Sequence, residues 1–165
     1  MEQQVETGVS VAKKSAGLLL YRNVDGRLEV LLVHPGGPLW TGKDEGIWSI
    51  PKGEFQPPEE PLTAARREFE EETGMTPGGN FIALDPVRQP SGKIVFAWAV
   101  AGDFDPARLK SNTFSLEWPA NSGLLQEFPE VDQAAWLPVD IALSKILPGQ
   151  APLLLQLQKK LDRSR

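Results

Sequence analysis

Residues 53–75 read GEFQPPEEPLTAARREFEEETGM, and acidic side chains crowd this stretch around a clear apolar stripe. Like charges at helical spacing repel one another. A fold accepts such a cluster most readily when a cation sits among the carboxylates. At about 100° per residue, Glu68, Glu71 and Glu72 fall at i, i+3 and i+4 on one helical face. Leu62, Ala65 and Phe69 form a separate stripe suited to a core, and Glu70 points to solvent. Three carboxylates on one face suit a hard cation such as Mg²⁺, with Mn²⁺ as an alternative. The competing reading is a solvated acidic face. Spacing alone leaves both open.

The rest of the chain sets bounds on that choice. Its 165 residues suit one domain with a single substantial core, expected to span about residues 12–162. A net charge of −5 argues against a nucleic-acid polymer as partner, because a phosphate backbone calls for a broad basic surface. There is no cysteine, which removes disulfides, thiolate catalysis and cysteine-held zinc together. No apolar run reaches membrane-spanning length. MEQQVETGVSVAKK lacks the apolar centre of a signal peptide. A cytoplasmic protein is expected, monomeric or homodimeric and acting without a membrane.

Ser15–Tyr21 and Leu28–Val33 read as strands joined through Asn23-Val24-Asp25-Gly26, a hairpin turn. Ile47–Ile50 reads as a short extended piece. Residues 61–73 read as a helix, with Pro61 in its first turn and Gly74 as its C-cap. Phe81–Leu84, Lys93–Val100 and Val131–Leu137 read as strands, and Pro138–Ile146 and Pro152–Leu161 as helices. Loops are expected at 35–46, 51–61, 76–92 and 119–129, where Pro and Gly gather. Strands mixed with two or three helices predict a layered α/β domain.

The 53–75 stretch resembles the Nudix box, G-x5-E-x7-R-E-U-x-E-E-x-G-U with U a bulky apolar residue. Gly53, Glu59, Arg67-Glu68, Phe69, Glu71-Glu72, Gly74 and Met75 fill every fixed position. The resemblance implies an α/β/α sandwich with a mixed sheet. It also implies Mg²⁺-dependent hydrolysis of a nucleoside diphosphate linked to a further group. By the same resemblance, Glu68, Glu71 and Glu72 hold the metal, and Glu68 is a candidate base. The backbone carbonyl at Lys52 or Gly53 is a further ligand. Arg67 stands in the catalytic motif, but the reading favoured for it is a brace holding Glu59. A distal loop acid is expected to join the site, with Glu117, Glu127 and Glu130 as candidates and Glu130 preferred. Pro57-Pro58 stands where many members have Gly before the motif glutamate, which predicts a stiffer loop.

Trp48-Ser49-Ile50-Pro51-Lys52-Gly53 resembles the W-x-x-P-K-G lead-in of dinucleotide polyphosphate hydrolases. Lys52 and Lys93 are candidates for phosphate contact, and Trp48 for a substrate contact. Trp40, Phe96 and Trp98 are further candidates for stacking on a base, although a Trp in an alternating strand more often belongs to a core. His34 is the lone histidine and is expected to be structural. The substrate expected is a (di)nucleoside polyphosphate such as Ap4A, or an NTP. Pro90 resembles a marker of ADP-ribose hydrolases and keeps an ADP-ribose or nucleotide-sugar pyrophosphatase as the alternative. A Nudix-fold nucleotide sensor without turnover is the alternative of another class. The mixed aromatic and acidic segment 111–130 is expected beside the cleft, or as a surface excursion or dimer contact.

Overall fold

The computed structural model describes residues 12–163. The N-terminal reading therefore falls, for residues 1–11, outside the described residues. Strand β1 (Lys14–Val24) turns into β2 (Arg27–Pro35) through Asp25 and Gly26, both at positive φ. That pair of left-handed residues matches the twist of a tight hairpin. Next come β3 (Lys52–Glu54), helix α1 (Pro61–Thr73), β4 (Ile82–Ala83), β5 (Val87–Arg88) and β6 (Ile94–Ala101). Two strands, β7 (Thr113–Glu117) and β8 (Leu125–Pro129), form a separate hairpin. Strand β9 (Val131–Pro138) and helices α2 (Val139–Lys145) and α3 (Ala151–Arg163) complete the order.

The main sheet runs β4-β6-β1-β2-β9, with β3 pairing β1 and β5 pairing β6. Only β1 and β6 pair in parallel, so the sheet is mixed. Alternation along the strands feeds two cores. Leu19, Val30, Leu32, Val95, Ala97 and Ala99 face α2 and α3, against Leu153, Leu154 and Leu157. Ala16, Leu18, Leu20, Leu31, Val33 and Val100 face α1, against Ala64, Ala65 and Phe69. A sheet covered on both faces needs apolar residues at every position, which is why the opening of β1 reads as an unbroken apolar run. The resulting α/β/α sandwich is the architecture the sequence predicts.

Helix α1 starts at Pro61, whose fixed φ suits the first turn. It stops at Gly74, at φ 71°, whose N–H donates to Glu70 O at 2.8 Å. This left-handed closure favours glycine. Phe69 is fully buried, and burial of a side chain of that size contributes about 1.5–3 kcal/mol.

Three segments read as loops hold short strands instead: β3, β5 and β8. The first two are two or three residues long and gain order only by pairing with β1 and β6. Gly17 lets β3 lie close against β1. A methyl group there would overlap Pro51 O and stand 2.7 Å from Lys52 Cβ. Both obstacles lie on or next to the backbone, so Gly17→Ala is expected to cost about 1–3 kcal/mol in chemical denaturation. Among the described residues, no helix is long and apolar enough to cross a membrane.

Candidate active site

Helix α1 and strand β3 bring the acidic motif together. Glu72 is buried at 5% exposure, while Glu71 is exposed and Glu70 faces solvent. The carboxylate of Glu68 lies directly over Gly53, and any β-carbon at that position would overlap it. The motif glycine is thus a seat for the motif glutamate. This close approach links β3 to α1 across the sheet edge.

Arg67 meets the cluster from its exposed side. Its Nε donates to Glu59 Oε2 at 2.8 Å and its Nη2 to Glu59 Oε1 at 3.0 Å. Its Nη1 also donates to Glu68 at 3.0 Å and to Glu71 at 3.4 Å. A two-pronged guanidinium–carboxylate pair fixes orientation as well as charge. Glu59 is held below its usual pKa by this pairing, and Arg67 is raised by it. The brace expected between Glu59 and Arg67 is present, and it extends to Glu68 and Glu71. Part of the repulsion in the cluster is therefore relieved by the protein's own cation.

Glu72 lies outside that relief. Burial, then Glu68, Glu130 and Glu71, push its carboxyl up to about 8, with Lys52 pulling the other way. Its Oε1 is buried and has no hydrogen-bond partner. Glu68 is also raised, first by burial and further by Glu71 and Glu130, with Arg67 opposing. Lys52 is lowered to about 8, first by burial and then by Lys93, while Glu72, Glu54 and Glu68 oppose the shift. A buried carboxylate with an unpartnered oxygen and acidic neighbours fits a bound cation. Among the described residues, no three His, Asp or Glu side chains are arranged to hold a metal ion unaided. A shell completed by a backbone carbonyl, waters and substrate phosphates is the usual habit of Mg²⁺.

A cleft of about 270 Å³ opens above Glu72, bounded by Lys52, Glu130, Trp40, Ile47, Val131 and Leu147. Glu130 is thus the distal acid at the cleft. Glu117 and Glu127 sit on the exposed β7–β8 hairpin, where Glu117 accepts from Gly123 N at 2.7 Å and Glu127 from Thr113 at 3.5 Å. The base of that hairpin closes on the cleft rim: Gly36 N donates to Glu130 O at 2.9 Å, and Glu130 N to Asn112 O at 2.8 Å.

Trp48 is not placed as a substrate contact. It is 5% exposed within the α2–α3 core, and its Nε1 donates to Asp44 at 2.9 Å. Phe96 and Trp98 pack against the α1 core. Trp40 is the aromatic at the cleft, 38% exposed, with Lys43 Nζ 5.6 Å from its ring centre. His34 is structural. Its ring joins Asp132 at 2.9 Å to Lys43 O at 2.6 Å and so ties the Trp40 loop to β9. Lys93 pairs with Glu54 at 3.2 Å, beside the acids rather than within the cleft.

Gln150 escaped the sequence reading. Fully buried, it accepts from Ile50 N at 3.1 Å and donates to Ser49 Oγ at 3.1 Å and to Gln89 Oε1 at 2.9 Å. It fixes the chain just before Lys52-Gly53. No local pattern signals a contact across 100 residues.

A layered mixed sheet thus carries a braced acidic helix beside a narrow cleft. The sequence matches the NUDIX domain over residues 12–157, and the chain belongs to that family. An asymmetrical bis(5'-nucleosyl)-tetraphosphatase of Caenorhabditis elegans is 38% identical over 63 residues, which is 38% of this chain and 41% of that protein. The chain thus matches less than half of that relative's length. The crystal structure of a C. elegans Ap4A hydrolase binary complex superposes with a TM-score of 0.62 at 24% identity, over 92% of this chain and 98% of that one. The NUDIX domain of Shewanella oneidensis NrtR complexed with ADP ribose gives a TM-score of 0.62 at 16% identity, over 93% and 90%. At these identities the two likenesses show the fold alone.

Proposed function

We propose that this protein is a Mg²⁺-dependent pyrophosphohydrolase acting on a dinucleoside polyphosphate of the Ap4A type. The observation that carries the reading is Glu72, a buried carboxylate with an unpartnered oxygen on the wall of an apolar-mouthed cleft. The local likeness to the asymmetrical tetraphosphatase supports the choice of substrate.

Glu68, Glu71 and Glu72 would hold the cation, with the Gly53 or Lys52 carbonyl and Glu130 as further ligands. When bound, a divalent cation supplies charge neutralisation at the phosphates and activation of the attacking water. Glu68, whose carboxyl burial raises above its usual pKa, is the group to receive the proton of the attacking water. The water oxygen bonds to phosphorus, the anhydride P–O bond breaks, and the leaving phosphate carries the electron pair away. Lys52 and Lys93 meet phosphate oxygens as point charges. Trp40 offers an exposed ring at the cleft mouth for stacking on a base. Arg67 and Glu59 set the position of Glu68.

A panel of substrates tests this. With Mg²⁺ present, kcat/KM for Ap4A is expected to exceed that for ADP-ribose and NADH by about tenfold or more. A preference for ADP-ribose would move the assignment to the nucleotide-sugar branch. Tight nucleotide binding with no turnover on any substrate would make the protein a sensor.

A further inference from the structure

The turn that carries Trp40 is tied to the sheet through the ring of His34. His34, near the end of β2, is buried. Its Nδ1 lies 2.9 Å from Asp132 Oδ1 on β9, and its Nε2 lies 2.6 Å from Lys43 O. Lys43 N donates to Trp40 O at 3.0 Å, so two hydrogen bonds lead from the ring to Trp40. Trp40 N and Thr41 Oγ1 both donate to Gly37 O, at 3.3 and 3.2 Å, which makes residues 37–43 one unit. The ends of that unit are anchored: Gly36 N donates to Glu130 O, and Asp44 pairs with Lys145. Between those anchors, His34 ties the unit to the sheet.

Both partners of the imidazole are acceptors. A backbone carbonyl and a carboxylate have no hydrogen to give. A neutral imidazole carries one N–H, so it satisfies one partner and sets a lone pair against the other. The imidazolium carries two N–H groups and satisfies both. The Trp48 ring packs edge-on against the imidazole, 5.2 Å between ring centres, and limits its rotation. The charges around the ring suit the cationic form. Asp132 faces it from β9, and Asp44, next to Lys43, is close enough to feel its charge. The neighbouring cations are engaged elsewhere: Lys145 of α2 on Asp44, and Lys43 Nζ 5.6 Å from the Trp40 ring centre.

We infer that His34 is a positioning residue for Trp40, whose imidazolium latches the Trp40 turn at the cleft and whose deprotonation breaks one of the latch's two bonds. Imidazole is the side chain that changes charge between about pH 5 and 8. The latch is closed on the acid side of that change. On the alkaline side either Asp132 or Lys43 O faces a lone pair, and the turn tilts about its anchored ends. The inference rests on the reading that Trp40 stacks on a base of the substrate, and it adds the residue that holds the ring there.

The test uses the fact that His34 is the chain's lone histidine, so its two ring nitrogens give unambiguous ¹⁵N signals in the full protein. Long-range ¹H–¹⁵N spectra from about pH 5 to 9 read which nitrogens carry hydrogen. Acrylamide quenching, taken as the difference between wild type and Trp40→Phe, reads how firmly the Trp40 ring is held. Two ring hydrogens with a shielded Trp40 are expected in acid, and Trp40 quenching is expected to rise as the ring loses its proton. In Asp132→Asn the amide can donate to Nδ1 of a neutral ring while Nε2–H still donates to Lys43 O, so the rise in quenching should disappear. His34→Gln offers hydrogens from one nitrogen only. It is expected to leave Trp40 quenched at every pH and to raise KM for Ap4A about tenfold, with kcat changed less than about twofold. A ring whose count of hydrogens stays fixed across the range, or changes while Trp40 quenching does not, would overturn the latch, as would an undiminished rise in Asp132→Asn. Quenching that follows the ring's proton in a protein that leaves Ap4A intact would keep the latch and refute the proposed substrate instead.

Discussion

Glu72→Gln is expected to lower kcat/KM by at least about 10³-fold, near 4 kcal/mol of transition-state stabilisation. The amide keeps the volume and removes the charge that would meet the cation. The same change is expected to leave the metal-free protein as stable as wild type or more so. Burial raises the Glu72 carboxyl from 4.5 to about 8, so the fold favours its neutral form. The sign follows directly. For this group, the metal-free fold is most stable below about pH 4.5 and loses that contribution as pH rises through about 8. In Glu72→Gln that loss disappears. Thermal melts without metal should therefore converge below about pH 4.5 and separate increasingly as pH rises towards about 8, with the variant higher. A divalent cation should raise the melting temperature of wild type most at alkaline pH, because it binds the charged carboxylate. A variant that is inactive because it is unfolded would contradict this account, as would one with near-normal activity.

Gly53→Ala is the second large effect, and it separates activity from stability in another way. Its methyl group would displace the Glu68 carboxylate, which sits at the end of a flexible side chain. The fold can yield there cheaply, and unfolding free energy is expected to change by less than about 1 kcal/mol. Catalysis cannot yield so easily, since an ångström of misplacement at a reacting group costs on the order of 10²-fold. Gly17→Ala provides the contrast: its obstacles lie at the backbone, and stability falls instead. If Gly53→Ala unfolded the protein while a stable fraction retained full rate, Glu68 would not be the group seated there.

The sequence is most legible where one segment carries its own instructions. Helix α1 runs from Pro61 to Thr73 as its terminal residues predict, because a first-turn proline and a left-handed glycine act locally. The apolar runs of β1, β2 and β6 are as plain, since a sheet buried on both faces leaves no polar gaps. The β7–β8 hairpin is hidden for the opposite reason. Leu124 and Leu125 are 61% and 75% exposed, so its strands lack the buried face that would mark them. Strands β3 and β5 are too short to show a period. Trp48 and Trp40 look alike in sequence, eight residues apart. One fills the core beside His34 and the other lines the cleft, a distinction set by the Asp44 and Lys43 contacts of the folded loop. At the site, the acids and their arginine brace are readable from the motif. The depth of Glu72 is not, because it depends on how β3 and the cleft wall close over the helix.

The most direct measurement is product analysis of Ap4A incubated with the metal-stripped protein, first with chelator and then with Mg²⁺ restored. Hydrolysis that needs the restored Mg²⁺ and yields equimolar ATP and AMP is the predicted result. Undiminished cleavage in chelator, or no cleavage of Ap4A once Mg²⁺ is returned, would contradict it.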